Sequence, residues 1–271
     1  MTRRLTTLFL ALLAIAAVIA RGVRETREVE ARPVEVSLAR LPEAFDGYRI
    51  LLLSCLHLEG NGETERALAG LLKGREFDLA LIAGDFRRSQ GTLEQTRLGL
   101  DTVLPAIRAK DGILACRGNH DTPSIIRLVR ERGVGLLVGE AIAIHRDQTA
   151  IWVAGVSEPR GDAADVSRAL RDVPTGAFKV LIGHNPDVAA PASAAGVDLV
   201  LAGDTHGGQI VLPLVGAVVT KTTIGRRFVY GLNRLGNTWV YTNPGIGTTG
   251  LKLRLGRPPE ATILTLRRAR S

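Results

Sequence analysis

The sequence predicts an α/β layered fold, on two observations. Five short apolar runs, none alternating with polar residues, end abruptly in polar clusters, as strands covered on both faces do. Segments of helical periodicity lie between those runs, so strands and helices alternate along the chain. The 271 residues allow one domain of about 240 residues with a short N-terminal appendage.

Residues 5–20 carry no charge and are bracketed by Arg3, Arg4 and Arg21. As a helix they span roughly 24 Å, short of a ~30 Å hydrocarbon core but workable with bilayer thinning and arginine snorkelling. Residues 1–21 therefore read as a membrane anchor. A secretory signal cleaved after Val18-Ile19-Ala20 is the competing reading, and Arg21 directly after that site argues against efficient cleavage. A buried core helix fits less well, because the run is apolar on every face. Arginines on both flanks leave the positive-inside rule almost silent, with a slight lean toward a cytoplasmic domain on the inner (cytoplasmic) membrane. Residues 22–47 are charged at first and alternate from Val34, which reads as a juxtamembrane linker running into an edge strand. Residues 48–271 form the main domain.

Within that domain each apolar run leads into residues that can bind metal. Residues 48–53 lead to Ser54-Cys55-Leu56-His57, and 79–83 to Gly84-Asp85. Residues 113–116 lead to Gly118-Asn119-His120-Asp121, 179–182 to Gly183-His184-Asn185, and 199–202 to Gly203-Asp204-Thr205-His206. Helices are expected over 63–72, 92–108, 123–132 and 186–195. Thr122 and Asn185 each precede a proline, the pattern of a capping residue before the first helical position. Residues 152–156 and 238–242 supply strands of a second sheet. Residues 211–219 read as a strand, in preference to a surface that dips into lipid. In layered α/β folds ligands collect beyond the carboxyl ends of the strands, so the polar clusters converge on one rim.

The formal charge of +8 favours anionic partners. Arginines gather at both ends of the chain, which fits a phospholipid surface better than a nucleic-acid groove. An aromatic content of 4% without aromatic–basic interleaving argues against a stacking platform, so no nucleic-acid partner is expected. Cys55 and Cys116 are too few for a disulfide framework and leave a single bridge open; the count fits a reducing compartment.

Each cluster alone is ordinary: a histidine after a strand is usually satisfied locally, and Gly-Asp is usually a turn. Their order and co-occurrence are not. Four of the five histidines sit in these clusters, and His145 alone lies elsewhere.

The sequence here resembles the calcineurin-like metallophosphoesterase family, whose pattern is D-x-H, G-D, G-N-H-[DE], a lone H, then G-H-x-H. All five blocks occur in order across residues 55–206. The resemblance implies a four-layer α/β/β/α sandwich with metal ligands on loops at strand carboxyl ends. It implies two divalent ions (Mn²⁺, Fe²⁺ or Zn²⁺), one held by Cys55, His57, Asp85 and His206. The other takes Asp85, Asn119, His184 and Asp204, with Asp85 bridging. A carboxylate can span two cations, and imidazoles and an amide oxygen complete the shells while positions stay open for water and phosphate. His120 would stabilise phosphoryl charge or protonate the leaving oxygen, with Asp121 orienting its ring. Arg117 reads as a phosphate contact or, equally, as a solvated strand-end arginine.

Two positions depart from the pattern. Cys55 stands where the family has aspartate, and Asp204 where it has histidine. Both replacements can ligate: a thiolate shifts the first site toward softer metals, and a carboxylate suits Mn²⁺, Mg²⁺ or iron. Gly207-Gly208-Gln209 and the run from Arg254 to Glu260 resemble a membrane-anchored subgroup that includes hydrolases of UDP-2,3-diacylglucosamine, a lipid A precursor. The expectation is a phosphodiesterase or pyrophosphatase with an anionic, lipid-linked or nucleotide-sugar substrate. An exported broad-specificity phosphatase and a non-catalytic scaffold of the same fold are the alternatives.

Overall fold

The computed structural model describes residues 2–269, with side chains from Leu5 onward. Strands β1 (Glu30–Leu38), β2 (Arg49–Leu53), β3 (Leu79–Ala83), β4 (Ile113–Cys116) and β5 (Gly135–Leu136) belong to one sheet. Strands β6 (Glu140–Arg146), β7 (Thr149–Gly155), β8 (Phe178–Ile182) and β9 (Leu199–Ala202) belong to a second. A separate hairpin follows, from β10 (Val211–Leu212) and β11 (Gly216–Ala217). The chain then returns to the second sheet with β12 (Gly231–Leu235) and β13 (Thr238–Thr242), and to the first with β14 (Glu260–Arg268). The sheet orders are β1-β14-β2-β3-β4-β5 and β12-β13-β9-β8-β7-β6.

Alternate side chains of a strand point to opposite faces, and here both faces are apolar. Ile50, Leu52, Leu79 and Leu81 of the first sheet pack against Ile151, Val153, Val180 and Leu201 of the second. The residues between them, Leu51, Leu53, Ala80 and Ile82, face outward. They meet α2 (Glu63–Leu72), α3 (Leu93–Val103) and α4 (Pro123–Arg130) through Leu68, Leu72, Leu100, Val103 and Ile125. On the far side, Leu181, Val200 and Val240 pack under α5 (Ala163–Ala169) and α6 (Ala189–Ala194). The order is helices, sheet, sheet, helices, which is the expected four-layer sandwich.

The expected strands before the polar clusters are all present, and β2–β3–β4 and β7–β8–β9 run parallel, so their carboxyl ends share one rim. Several boundaries differ for identifiable reasons. The helix expected to run to residue 108 ends at Val103 and tightens into a 3-10 turn containing Pro105, which has no amide hydrogen to continue the ladder. The segment 186–195 divides into the turn Pro186–Val188 and α6. Thr122 sits at the start of α4 without capping it, since its hydroxyl pairs with Ser124, whereas Asn185 does accept from the Asp187 amide. Residues 211–219 do not form one strand; they fold into the two-residue strands of the hairpin.

The N-terminal helix α1 (Thr2–Glu25) runs beyond the expected anchor, extended by an Arg21–Glu25 ion pair at 2.7 Å. Its last turn docks on the domain: Glu25 Oε2 accepts from the Gly256 amide, and Gly22 O from the Arg254 amide. β1 accordingly starts at Glu30, ahead of Val34, because it pairs in parallel with β14 over its whole length. Cys55 and Cys116 are buried free thiols.

Candidate metal centre

The site is built where the loops after β2 and β3 lie against each other. The Cys55 amide donates to Gly84 O, His57 to Asp85 O, and Leu58 to Phe86 O. The loop after β4 crosses them closely enough to require glycine. A Cβ on Gly118 would lie 2.2 Å from the Asp85 nitrogen, and one on Gly84 2.5 Å from the Gly118 nitrogen. Backbone strain concentrates at the same place. Cys55, His57, Asp85, Asp204 and His206 all have positive φ, between 42° and 61°. Non-glycine residues hold that conformation only where their surroundings over-determine it, and such positions cluster at functional sites.

Six of the expected ligands form one buried group. Cys55 Sγ belongs to two sets of three donors whose atoms all lie within 4.8 Å of one another: Cys55–His57–His206 and Cys55–Asp85–His184. Asp85 Oδ2 is 3.6 Å from His57 Nε2, 3.3 Å from His184 Nε2 and 4.0 Å from His120 Nε2. Asp204 Oδ1 lies 3.7 Å from His184 Nε2, and the Asp204 amide donates to Cys55 Sγ at 3.2 Å. The sulfur, as well as the Asp85 carboxylate, is therefore common to both halves.

Hydrogen bonds select the tautomers. His57 Nδ1 faces Arg87 O at 3.1 Å and His184 Nδ1 faces Ala83 O at 2.7 Å. A carbonyl can only accept, so both Nδ1 atoms carry hydrogen and both Nε2 atoms turn into the site. The His57 and His206 rings stack 5.1 Å apart with their Nε2 atoms 3.2 Å apart. His184 Nε2 is buried and has no hydrogen-bond partner among the described residues. It faces only the Asp85 and Asp204 carboxylates, an arrangement that suits either an ion pair or a cation shared by all three groups.

The two halves differ in charge. Burial lowers His57 to about 4 despite Asp85, and burial with the adjacent His57 and Arg254 holds His206 well below its usual value. Both imidazoles are neutral at pH 7. Burial also opposes the charged form of His184, but Asp85 and Asp204 outweigh it and raise His184 to about 9. Burial likewise opposes ionisation of Asp85, yet His184 and His57 hold it well below the usual carboxylate range. Burial, then Asp85 and Asp204, push the Cys55 thiol up, so a cation is needed to make it a thiolate.

Other residues take different roles from those expected. Asp121 does not orient the His120 ring. Its oxygens accept from the amides of Asp85 (2.8 Å), Phe86 (2.9 Å), Arg87 (3.3 Å) and Gly118 (2.9 Å), bracing two loops together. His120 is half-buried, and its amide donates to Asp85 Oδ1 at 2.9 Å. Asn119 is exposed in the same loop, and Arg117 Nε is buried without a hydrogen-bond partner among the described residues.

Three participants escaped the sequence reading. Lys221 Nζ lies 3.3 Å from Asp204 Oδ1. Asn185, besides capping, donates from Nδ2 to Asp204 Oδ2 at 2.6 Å and to Lys221 O at 2.9 Å. Arg254 is fully buried behind His206, bonded to Pro244 O, Gly247 O and Arg257 O, and burial lowers it only to about 10, so it stays charged. Arg254 begins the run to Glu260 that carries the subgroup resemblance, but Lys221 belongs to no motif and has no signal in the sequence.

A cavity of about 290 Å³ opens beside His57, and Val23, Thr26 and Arg27 from the end of α1 line it together with Ile246 and Gly247. The family described as calcineurin-like phosphoesterase matches residues 48–208 of the chain. The uncharacterised metallophosphoesterase YkuE of Bacillus subtilis (strain 168) is 29% identical over 257 residues, covering 90% of this chain and 87% of YkuE. A transmembrane protein with metallophosphoesterase domain from Danio rerio is 28% identical over 258 residues, 87% of this chain and 57% of that protein. The phosphodiesterase YaeI of Escherichia coli (strain K12) is 29% identical over 229 residues, 81% of this chain and 82% of YaeI.

Proposed function

The chain belongs to the calcineurin-like phosphoesterase family and is a hydrolase of phosphoric esters, and we propose that its substrate is a phosphodiester or pyrophosphate presented at a membrane surface. The observation that carries the chemistry is the buried donor group itself, in which Cys55 Sγ lies within 4.8 Å of His57 and His206 donors and of Asp85 and His184 donors. Two neutral imidazoles, a thiol common to both halves and two carboxylates fit divalent ions. Cys55, His57, Asp85 and His206 would hold one, and Asp85, Asn119, His184 and Asp204 the other. Bound there, such ions supply Lewis acidity and a water of lowered pKa. The sulfur donor favours Zn²⁺ or Fe²⁺, and the carboxylates also accept Mn²⁺.

The chain's own residues do the remaining work. His120 faces the site from its half-buried position and is the proton donor to the leaving oxygen. Its backbone amide holds Asp85 Oδ1, leaving Oδ2 to the imidazoles. Lys221 adds a positive charge where a phosphoryl group would carry negative charge, and Arg117, whose Nε is buried without a hydrogen-bond partner among the described residues, reads as a phosphate contact.

The membrane part of the proposal rests on α1. Residues 5–25 have a mean hydropathy of 2.1 over their most apolar window, and that window is 6% buried against the domain. The end of this helix and His57 line the same cavity, which supports reaction close to the surface the helix enters. The transmembrane relative supports the same arrangement. UDP-2,3-diacylglucosamine, a lipid-linked pyrophosphate, is one member of this substrate class. The test is turnover of bis-p-nitrophenyl phosphate by the full chain with Mn²⁺, Zn²⁺ or Fe²⁺, alongside elemental analysis. Turnover with bound metal is expected; no turnover with any of these ions, and no bound metal, would make the protein a non-catalytic scaffold.

A further inference from the structure

Outside α1, the most exposed large apolar residues among those described gather in one place. Leu214 is fully exposed at 109%, Val215 at 64%, and Val218 and Val219 at 56% each, with Leu251 beside them at 63%. Residues 210–219 contain no charge, and Pro213 removes one amide hydrogen that would otherwise need water. Leu214 is held at φ 67°, a conformation that favours glycine, although its side chain packs against nothing in the fold. A soluble turn gains nothing from leucine at that position. Exposed arginines flank the segment: Arg226 Nη2 bonds Ala217 O at 2.7 Å and so steadies the hairpin, and Arg227 follows it.

The hairpin is rooted on the strip that receives α1. The Leu255 amide donates to Gln209 O at 2.9 Å and the Val211 amide to Leu255 O at 2.8 Å, which fixes the hairpin base to residues 253–256. The same strip donates to Gly22 O and Glu25 Oε2 at the end of α1. An apolar helix and an apolar hairpin thus leave the domain from neighbouring backbone. Between the hairpin and the metal centre lies a largely apolar cavity of about 200 Å³, lined by His206, Gln209, Ile210, Val218, Val219 and Leu251 among others.

We infer that the hairpin tip, residues 212–219 with Leu251, inserts into the leaflet that α1 enters and forms a second membrane contact. The inference rests on α1 being a membrane anchor. Two contacts on one face would fix the tilt of the domain and hold the His206 side of the site against the lipid surface, with Arg226 and Arg227 at the level of anionic headgroups.

The test uses the full chain reconstituted in phosphatidylcholine–phosphatidylglycerol vesicles whose acyl chains carry a nitroxide quencher. Both native thiols are buried, so a single introduced cysteine can be labelled with an environment-sensitive fluorophore. Leu214→Cys and Val215→Cys probe the hairpin, Leu10→Cys probes α1, and Ser167→Cys on α5 is the aqueous control. Quenching by more than about half at 214 and 215, as at 10, with little at 167, is expected for side chains in the acyl region. Quenching at 10 but not at 214 or 215 overturns the inference and leaves the anchor standing. No quenching at 10 overturns both. A blue shift at 214 without quenching means that a second copy of the chain covers the hairpin, which also overturns it. Leu214→Asp is further expected to lower turnover of a vesicle-borne phosphodiester about tenfold while leaving bis-p-nitrophenyl phosphate within about twofold. Equal effects on the two substrates would contradict the membrane contact.

Discussion

The two halves of the metal centre use the same residue type in opposite charge states. In the half formed by His57 and His206, burial dominates and both rings are neutral. In the half formed by His184, two carboxylates at 3.3 and 3.7 Å overcome an equally deep burial and keep the ring protonated. The difference shows that burial alone does not set a histidine's role; the position of carboxylates does. The first half is ready to accept a cation, apart from the Cys55 proton. The second must release a proton from His184 and displace Lys221 from Asp204.

Removing the group the halves share should have the largest effect. Asp85→Asn takes charge from three imidazole contacts at once, and a loss of at least about 1,000-fold in turnover is expected, with loss of bound metal by elemental analysis. Retained metal and activity would mean that Cys55 alone links the halves. Next is the brace beneath them. Asp121→Ala leaves four backbone amides without their acceptor and should cost about 3 kcal/mol in a denaturant melt.

The pH dependence of the metal-free protein separates the halves directly. His184 is raised from 6.5 to about 9 in the fold, so its contribution is full below pH 6.5 and disappears as pH rises through 9, on the order of 3 kcal/mol. His57 is lowered to about 4 and Asp85 is held low, so their contributions are lost as pH falls. A stability profile falling on both sides of neutrality is expected. His184→Asn should flatten the alkaline limb and, because His184 also holds Asp85 low, weaken the Asp85 part of the acid limb while leaving the His57 part; an unchanged alkaline limb would assign the charges wrongly. The smallest effect is expected from Lys221→Ala. It should tighten the second ion about tenfold in a metal titration, by removing a competing cation from Asp204, and leave the first unchanged.

Much of the centre was legible because its ligands follow short apolar strands in a fixed order, and such strands in parallel deliver their ends to one rim. Cys55, His57, Asp85, His184, Asp204 and His206 converge for that reason. The misses depend on relations between distant segments. The role of Asp121 follows from two loops approaching so closely that Gly84 and Gly118 admit no Cβ, and no local pattern states that distance. Lys221 reaches Asp204 only because the chain returns past the hairpin. The place of β14 between β1 and β2 is likewise a property of the whole sheet. The hairpin was not legible as such because Gly216, whose positive φ helps turn it, lies inside an otherwise continuous uncharged run that reads as one strand.

The central claim is that this strand-end cluster is a metal site in which Cys55 is a ligand. Anomalous diffraction from crystals grown with Zn²⁺, collected above and below the zinc edge, tests it most directly. The account predicts a zinc peak bonded to Cys55 Sγ and His57, and its loss or displacement in Cys55→Ala. A peak that ignores Cys55, or no peak among these six residues at full zinc occupancy elsewhere, would contradict it.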